Sequence, residues 1–216
     1  MFLGQAAHCS GTGAATDTDG CTATSLPLGT AVDVVGFNGT TYKGNTVVYS
    51  SWLQMQGRRE GDPDVCAGND FALVKLTPAA AAVTNPTVPF WGGPSSGPAS
   101  SDLGDDVYTY GNSSLRAGIA ALSPKVGKTV GQNNGGWTYD LYTVSPGVPG
   151  DSGSGFMDAN GRALGVLSTL SVLPLAASNQ VADLAKAMTY MKQHSDTFDA
   201  VNLVPGTSPF VPLLAG

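Results

Sequence analysis

Apolar and polar residues alternate over much of this chain. Thr30 to Phe37 alternates around Val32, Val34 and Val35, Asn38-Gly39 follows as a two-residue turn, and Thr40 to Tyr49 runs back. A period of two places successive side chains on opposite faces of a strand, so this stretch predicts a β-hairpin. Phe71 to Leu76 is a short apolar run and predicts a buried strand. Strand patterning resumes at Val107 to Tyr110, Ile119 to Val130 and Trp137 to Val144, the last two separated by a turn at Gly131 to Gly136. Phe156 to Leu164 predicts a second hairpin with Asn160-Gly161 at its tip, leading into Gly165 to Leu170. The period then changes. From Asn179 to Lys192, Val181, Leu184, Ala185, Met188 and Met191 recur at helical spacing, with Ser178 as the predicted N-cap. His194, just beyond, reads as a partner for the helix C-terminal dipole.

Other stretches keep neither period. Gly57 to Gly68, rich in Arg, Asp and Pro, predicts a surface loop. Thr77 to Gly104 contains Pro78, Pro86, Pro89, Pro94 and Pro98 with Gly92-Gly93 and a serine-rich run. Such a segment cannot continue a sheet and predicts a linker between two β units. Thr16-Asp17-Thr18-Asp19-Gly20 begins like a cation-binding loop, but the remaining ligands do not follow, and it reads as a solvated turn.

Composition supports the β reading. At 216 residues the chain can bury one large or two small cores, and 12% charged residues with 29 Gly and 14 Pro suit a loop-rich β protein. A net charge of −6 argues against nucleic acid or an anionic membrane as the main partner. No apolar run approaches the ~20 residues that span a bilayer. Met1-Phe2-Leu3-Gly4-Gln5 has neither the basic nor the apolar region of a secretory signal.

Candidate chemistry lies in Pro149-Gly150-Asp151-Ser152-Gly153-Ser154-Gly155, where glycines and a proline surround one hydroxyl. Glycine tolerates positive φ and close backbone approach, which lets a serine stand clear while N–H groups converge on a developing oxyanion. Alone, the string is also ordinary turn chemistry. Two upstream motifs change its weight. Ala6-Ala7-His8-Cys9 carries one of the chain's two histidines, and Asn69-Asp70-Phe71-Ala72-Leu73 places an aspartate just before a strand. In the order His8, Asp70, Ser152, these three motifs resemble those of the chymotrypsin-like serine endopeptidases.

The resemblance implies an all-β chain of two antiparallel six-stranded β-barrels followed by a C-terminal helix. Residues 1–88 would form the N-terminal barrel with His8 and Asp70, 89–104 the linker, and 105–216 the second barrel with Ser152 and the helix. His8 comes early for that family, which implies that about 20–40 residues of the first barrel lie upstream and that the barrel is incomplete at its N-terminus. The implied activity is endopeptidase hydrolysis of a protein or peptide substrate, with no metal and no cofactor. Ser152 would be the nucleophile, His8 the base and Asp70 its orienting carboxylate, with the N–H groups of Gly150 and Ser152 as oxyanion hole. Asp151 would turn inward to pair with a cation, for which Arg116 is the candidate. Pro146, Ser168, Thr169 and Leu170 would shape the substrate site, with Leu170 narrowing it toward small or medium apolar side chains. Cys21 and Cys66 would be bonded and Cys9 left over, with a Cys9–Cys21 bridge as the competing arrangement and three reduced thiols as a third. The implied protein is secreted, and monomeric once its first barrel is complete. A protease-like binding or adhesion protein and a serine esterase are the competing functions, the esterase being disfavoured by chain order.

Overall fold

The structure is a computed structural model that describes residues 1–14, 17–117, 119–171 and 178–212. Its first lobe contains β1 (Phe2–Gln5), β2 (Ala31–Val35), β3 (Thr41–Ser50) and β4 (Ala72–Lys75), all antiparallel in the order β1-β4-β3-β2. The β2–β3 hairpin turns where Asn38-Gly39 predicted it. Expected here was a six-stranded barrel incomplete at its N-terminus. Found among the described residues is an open four-stranded sheet, with two short helices, α1 (Ser51–Arg58) in a stretch mostly left unassigned and α2 (Pro63–Gly68) inside the expected surface loop.

Both helices have local causes that the alternating pattern hides. Ser50 ends β3 and caps α1, its side chain accepting from the Leu53 amide, while Trp52 and Met55 bury the helix's inner face. Asp62 caps α2 by accepting from the Asp64 amide at 2.9 Å, with Pro63 at the first helical position. The expected loop at Gly57 to Gly68 is therefore half helix. A disulfide from Cys21 to Cys66 ties α2 to the segment after His8, and Cys9 is free. The cross-link spans 45 residues, worth about 4 kcal/mol on a chain-entropy account.

The Pro-rich linker holds one short helix, α3 (Pro78–Val83), capped by Thr77. The second lobe is a closed antiparallel barrel. Its strands are β5 (Asp106–Tyr110), β6 (Pro124–Asn133), β7 (Thr138–Thr143), β8 (Gly155–Asp158), β9 (Ala163–Ser171) and β10 (Ser178–Asp183), in the order β10-β7-β6-β5-β8-β9. The β8–β9 hairpin carries Asn160-Gly161 at its tip, as predicted. β6 starts later and runs further than expected: Ala120–Leu122 forms a 3-10 turn, and a register shift after Thr129 carries the strand past Gly131.

The helical reading at Asn179 is half corrected. Residues 178–183 form the strand that closes the barrel, and only then does α4 (Leu184–His194) begin, capped by Asp183 rather than Ser178. Val181 serves the barrel core, while Ala182, Leu184, Met188 and Met191 serve the packing beyond it. Two apolar patterns of different period run end to end there and sum to an apparent longer helix. His194 does sit in the last turn of α4, its ring edge-on to Tyr190.

One apolar core is common to both lobes. Tyr49, Phe71 and Leu73 from the first sheet pack with Val166, Ala182, Leu184, Met188, Met191 and Phe198 from the second lobe. The chain's last described residues return to the linker: Gly206 and Val211 amides donate to the carbonyls of Pro94 and Trp91, and Phe210 packs edge-on to Tyr108.

Candidate active site

His8 lies shortly after β1, in a 3-10 turn over Ala7–Ser10; Ala7 and the Ala6 that precedes the turn are fully buried. Small side chains at those positions let the turn sink against β4, beside the end of α2. Asp70, buried just before β4, then meets His8 twice. Its Oδ1 accepts from the His8 amide at 2.8 Å, and its Oδ2 lies 2.6 Å from the imidazole Nδ1. The Ser168 hydroxyl from β9 donates to the same Oδ2 at 2.6 Å, so the second lobe also holds this carboxylate.

These contacts fix the ring's chemistry. With Nδ1 donating to Asp70, the neutral imidazole keeps its lone pair on Nε2. Burial pulls the imidazolium's pKa down, but the hydrogen bond and charge of Asp70 outweigh it, and the result lies above the ordinary imidazole value.

His8 and Ser152 line one cleft of about 710 Å³ between the lobes, together with Gly147 to Gly150, Leu167 to Leu170, Trp52, Asn179 and Gln180. Among the described residues no hydrogen bond joins the Ser152 hydroxyl to the imidazole. Trp52 reaches the cleft wall because Gly20 lies against its indole, where a Cβ would come within 2.3 Å.

Behind Ser152 the chain makes a tight turn. The Asp151 amide donates to the Val148 carbonyl at 2.9 Å, with Pro149 second and Gly150 third at φ +94°. That is the pattern of a type II turn, whose third position favours glycine. Among the described residues, the amides of Gly150 and Ser152 have no acceptor, so two donors are left beside the Ser152 hydroxyl.

Asp151 does turn inward, and Arg116 does meet it. The guanidinium bonds its Oδ2, and donates to the Ser145 hydroxyl and Pro146 carbonyl, each at 3.2 Å. Sequence reading missed the second cation. Lys125, wholly buried on β6, places Nζ 3.2 Å from the same oxygen. Burial raises the Asp151 pKa, but the Arg116 bond, the Val148 amide and the two cations more than reverse it and hold the carboxyl below its usual range. Burial likewise pushes the Lys125 ammonium down, partly offset by Asp151. Nothing local marks Lys125 for this role, since its partner lies 26 residues along the chain.

Of the expected substrate residues, Ser168, Thr169 and Leu170 line the cleft, and Leu170 is half exposed there. Pro146 does not; its neighbours Gly147 and Val148 do. Asn179, unassigned from sequence, fixes that wall by accepting from the Gly147 amide at 2.7 Å and donating back to its carbonyl at 3.3 Å.

With the geometry in hand, comparison with known proteins supplies the fold. No family model matches the chain, and no curated protein does. Among solved structures it is similar to the inactive form of the Rv3671c protease, with a TM-score of 0.53 and 16% identity over 90% of this chain and 79% of that one. The active form of the Rv3671c protease from M. tuberculosis gives 0.53 and 15% over 97% and 72%. These neighbours have a chymotrypsin-like fold, and this chain shares its architecture in part: one closed six-stranded antiparallel barrel, an open sheet and a C-terminal helix. At this identity the likeness speaks for architecture, and the chemistry rests on the side chains themselves.

Proposed function

We propose that this chain is a serine endopeptidase. His8 takes the proton of the Ser152 hydroxyl at Nε2 as Oγ bonds to the scissile carbonyl carbon, and the C=O electron pair moves onto oxygen. That oxygen is met by the amides of Gly150 and Ser152, worth about 3–4 kcal/mol per donor. Collapse expels the amine, which receives the same proton from His8 and leaves an acyl-Ser152 ester. Water, deprotonated by His8, then cleaves the ester and restores the hydroxyl. Asp70 keeps the ring in the tautomer this needs and stabilises the imidazolium formed at each step.

The observation that supports this reading is that a carboxylate-held imidazole, the Ser152 hydroxyl and the residues bearing two unengaged amides line one cleft. Val148, Leu167 and Leu170 make the nearby walls apolar, which supports a small or medium apolar side chain before the cleaved bond. The Cys21–Cys66 bond supports action in an oxidising, extracytoplasmic compartment.

A fluorophosphonate is expected to add covalently to Ser152, giving one modified peptide on mapping. Ser152→Ala should remove both the labelling and the cleavage of peptide substrates. Labelling at Ser145 or Ser154 would reassign the nucleophile. One observation favours a second reading, a non-catalytic binding protein: the Ser152 hydroxyl has no bond to His8 in the unliganded cleft. Such bonds are often long until substrate is bound, and absence of any labelling would decide for the second reading.

A further inference from the structure

Gly150 can carry the middle peptide of its turn in two orientations. In a type II turn the Pro149 carbonyl points one way, and in a type I turn over the same four residues that peptide is rotated by roughly half a turn. Glycine at the third position permits both, since it accepts φ of either sign. The two are not equivalent for chemistry. The Pro149–Gly150 peptide is trans, so its carbonyl and its N–H point in opposite directions. Turned over, it would aim a carbonyl oxygen, not a donor, at the place where an oxyanion must form.

Ser113 holds the carbonyl end. Its hydroxyl donates to the Pro149 oxygen at 2.6 Å, a short bond for two neutral groups. The donor is itself fixed. Ser113 Oγ accepts from the Leu115 amide at 3.2 Å, and the Ser113 amide donates to Asp151 Oδ1 at 2.9 Å, in a residue that is 5% exposed. Gly150 fits closely against this hydroxyl, since a Cβ there would approach Oγ to 2.9 Å. Arg116, in the same short 3-10 turn, grips Ser145, Pro146 and Asp151.

The geometry points to Ser113 as a positioning residue: it latches the Pro149 carbonyl away from the cleft and so presents the Gly150 N–H to the developing oxyanion. This rests on the endopeptidase reading above. The hydroxyl touches no substrate, and its effect is confined to the transition state. Ground-state binding along Ser168 to Leu170 does not pass through it.

The test is Ser113→Ala in the full chain, which keeps the backbone bond to Asp151. Its expected signature is a kcat lower by roughly 10–100-fold with KM within about 2-fold, less than outright loss of a donor because the peptide still visits the productive orientation. Inhibition by a peptide boronate, whose tetrahedral adduct uses the same donor, should weaken by the same factor. Binding of the amine-side cleavage product, which carries no new carboxylate to those donors, should hold. Melting temperature and the fraction of titratable Ser152 control for folding. A variant with wild-type kcat, or one whose boronate and product affinities fall together, overturns the inference. Ser113→Thr, which retains the hydroxyl, should recover most of kcat, and failure to recover it in a folded variant also counts against the latch. A wild-type chain that neither cleaves peptides nor labels at Ser152 would overturn the endopeptidase reading itself and this inference with it, whereas an active wild type with an unaffected Ser113→Ala overturns this inference alone.

Discussion

At Nδ1, His8 meets a carboxylate that already holds two other donors, the His8 amide and the Ser168 hydroxyl. The pair raises the folded pKa of the ring above about 6.5. Since the base must be neutral, kcat/KM is expected to rise with pH through an ionisation above that value. Stability runs the other way. A raised folded pKa means that protonated His8 adds stability fully present below about 6.5, which is lost as pH rises through the folded value. Asp70→Asn removes both causes that raise the pKa and leaves burial, which lowers it. The acid limb of any residual activity should then move down, with kcat reduced by orders of magnitude. A pH–rate profile of both forms checks this, and an unmoved limb would mean that another group titrates. This part of the site was legible in the sequence. Ala-Ala-His-Cys, Asn-Asp-Phe-Ala-Leu and Gly-Asp-Ser-Gly are short strings in which neighbouring residues set the local geometry. Ser113 and Lys125 were not legible, because each acts through a partner 26 to 38 residues away and carries no local mark.

The β10–α4 junction shows why elements were harder to read than site residues. Asp183 ends the strand and begins the helix. Its side chain caps α4 by accepting from the Lys186 amide at 2.8 Å and also accepts the buried Tyr139 hydroxyl from β7. Asp183→Ala removes a cap, about 1 kcal/mol, and leaves a buried hydroxyl unpaired, about 1–3 kcal/mol more. The urea midpoint should fall by the equivalent of about 2–4 kcal/mol, whereas Asp183→Asn, which keeps an oxygen for the Lys186 amide and turns an NH2 donor toward the Tyr139 hydroxyl oxygen, should lose about 1 kcal/mol. Equal losses would show that charge, not acceptance, matters there. Periodicity reports which face is apolar. It does not report where one neighbour ends and another begins, and so the strand before α4 and the helices after Ser50 were misread or unseen. The β2–β3 and β8–β9 hairpins were read correctly because Asn-Gly turns are local and mark their own boundaries.

On the scale of the whole molecule, His8 and Ser152 come from opposite lobes, and the cluster built from Tyr49, Phe71, Leu73 and α4 belongs to both. The second barrel has an interior of its own, built on Val107, Tyr139, Leu141 and Phe156, but the shared cluster ties its outer face and α4 to the first sheet. Thermal denaturation should therefore be a single cooperative event, with the calorimetric and van't Hoff enthalpies in agreement and loss of peptidase activity superimposed on loss of near-ultraviolet dichroism. Two resolved heat-absorption peaks would mean that the lobes are separate thermodynamic units. If the peak is single, no temperature or denaturant concentration yields a half-melted molecule with Ser152 and its amides intact but His8 adrift. On the endopeptidase reading, every molecule in the population is then either a complete catalyst or a substrate for one, and the preparation would digest its own unfolded fraction.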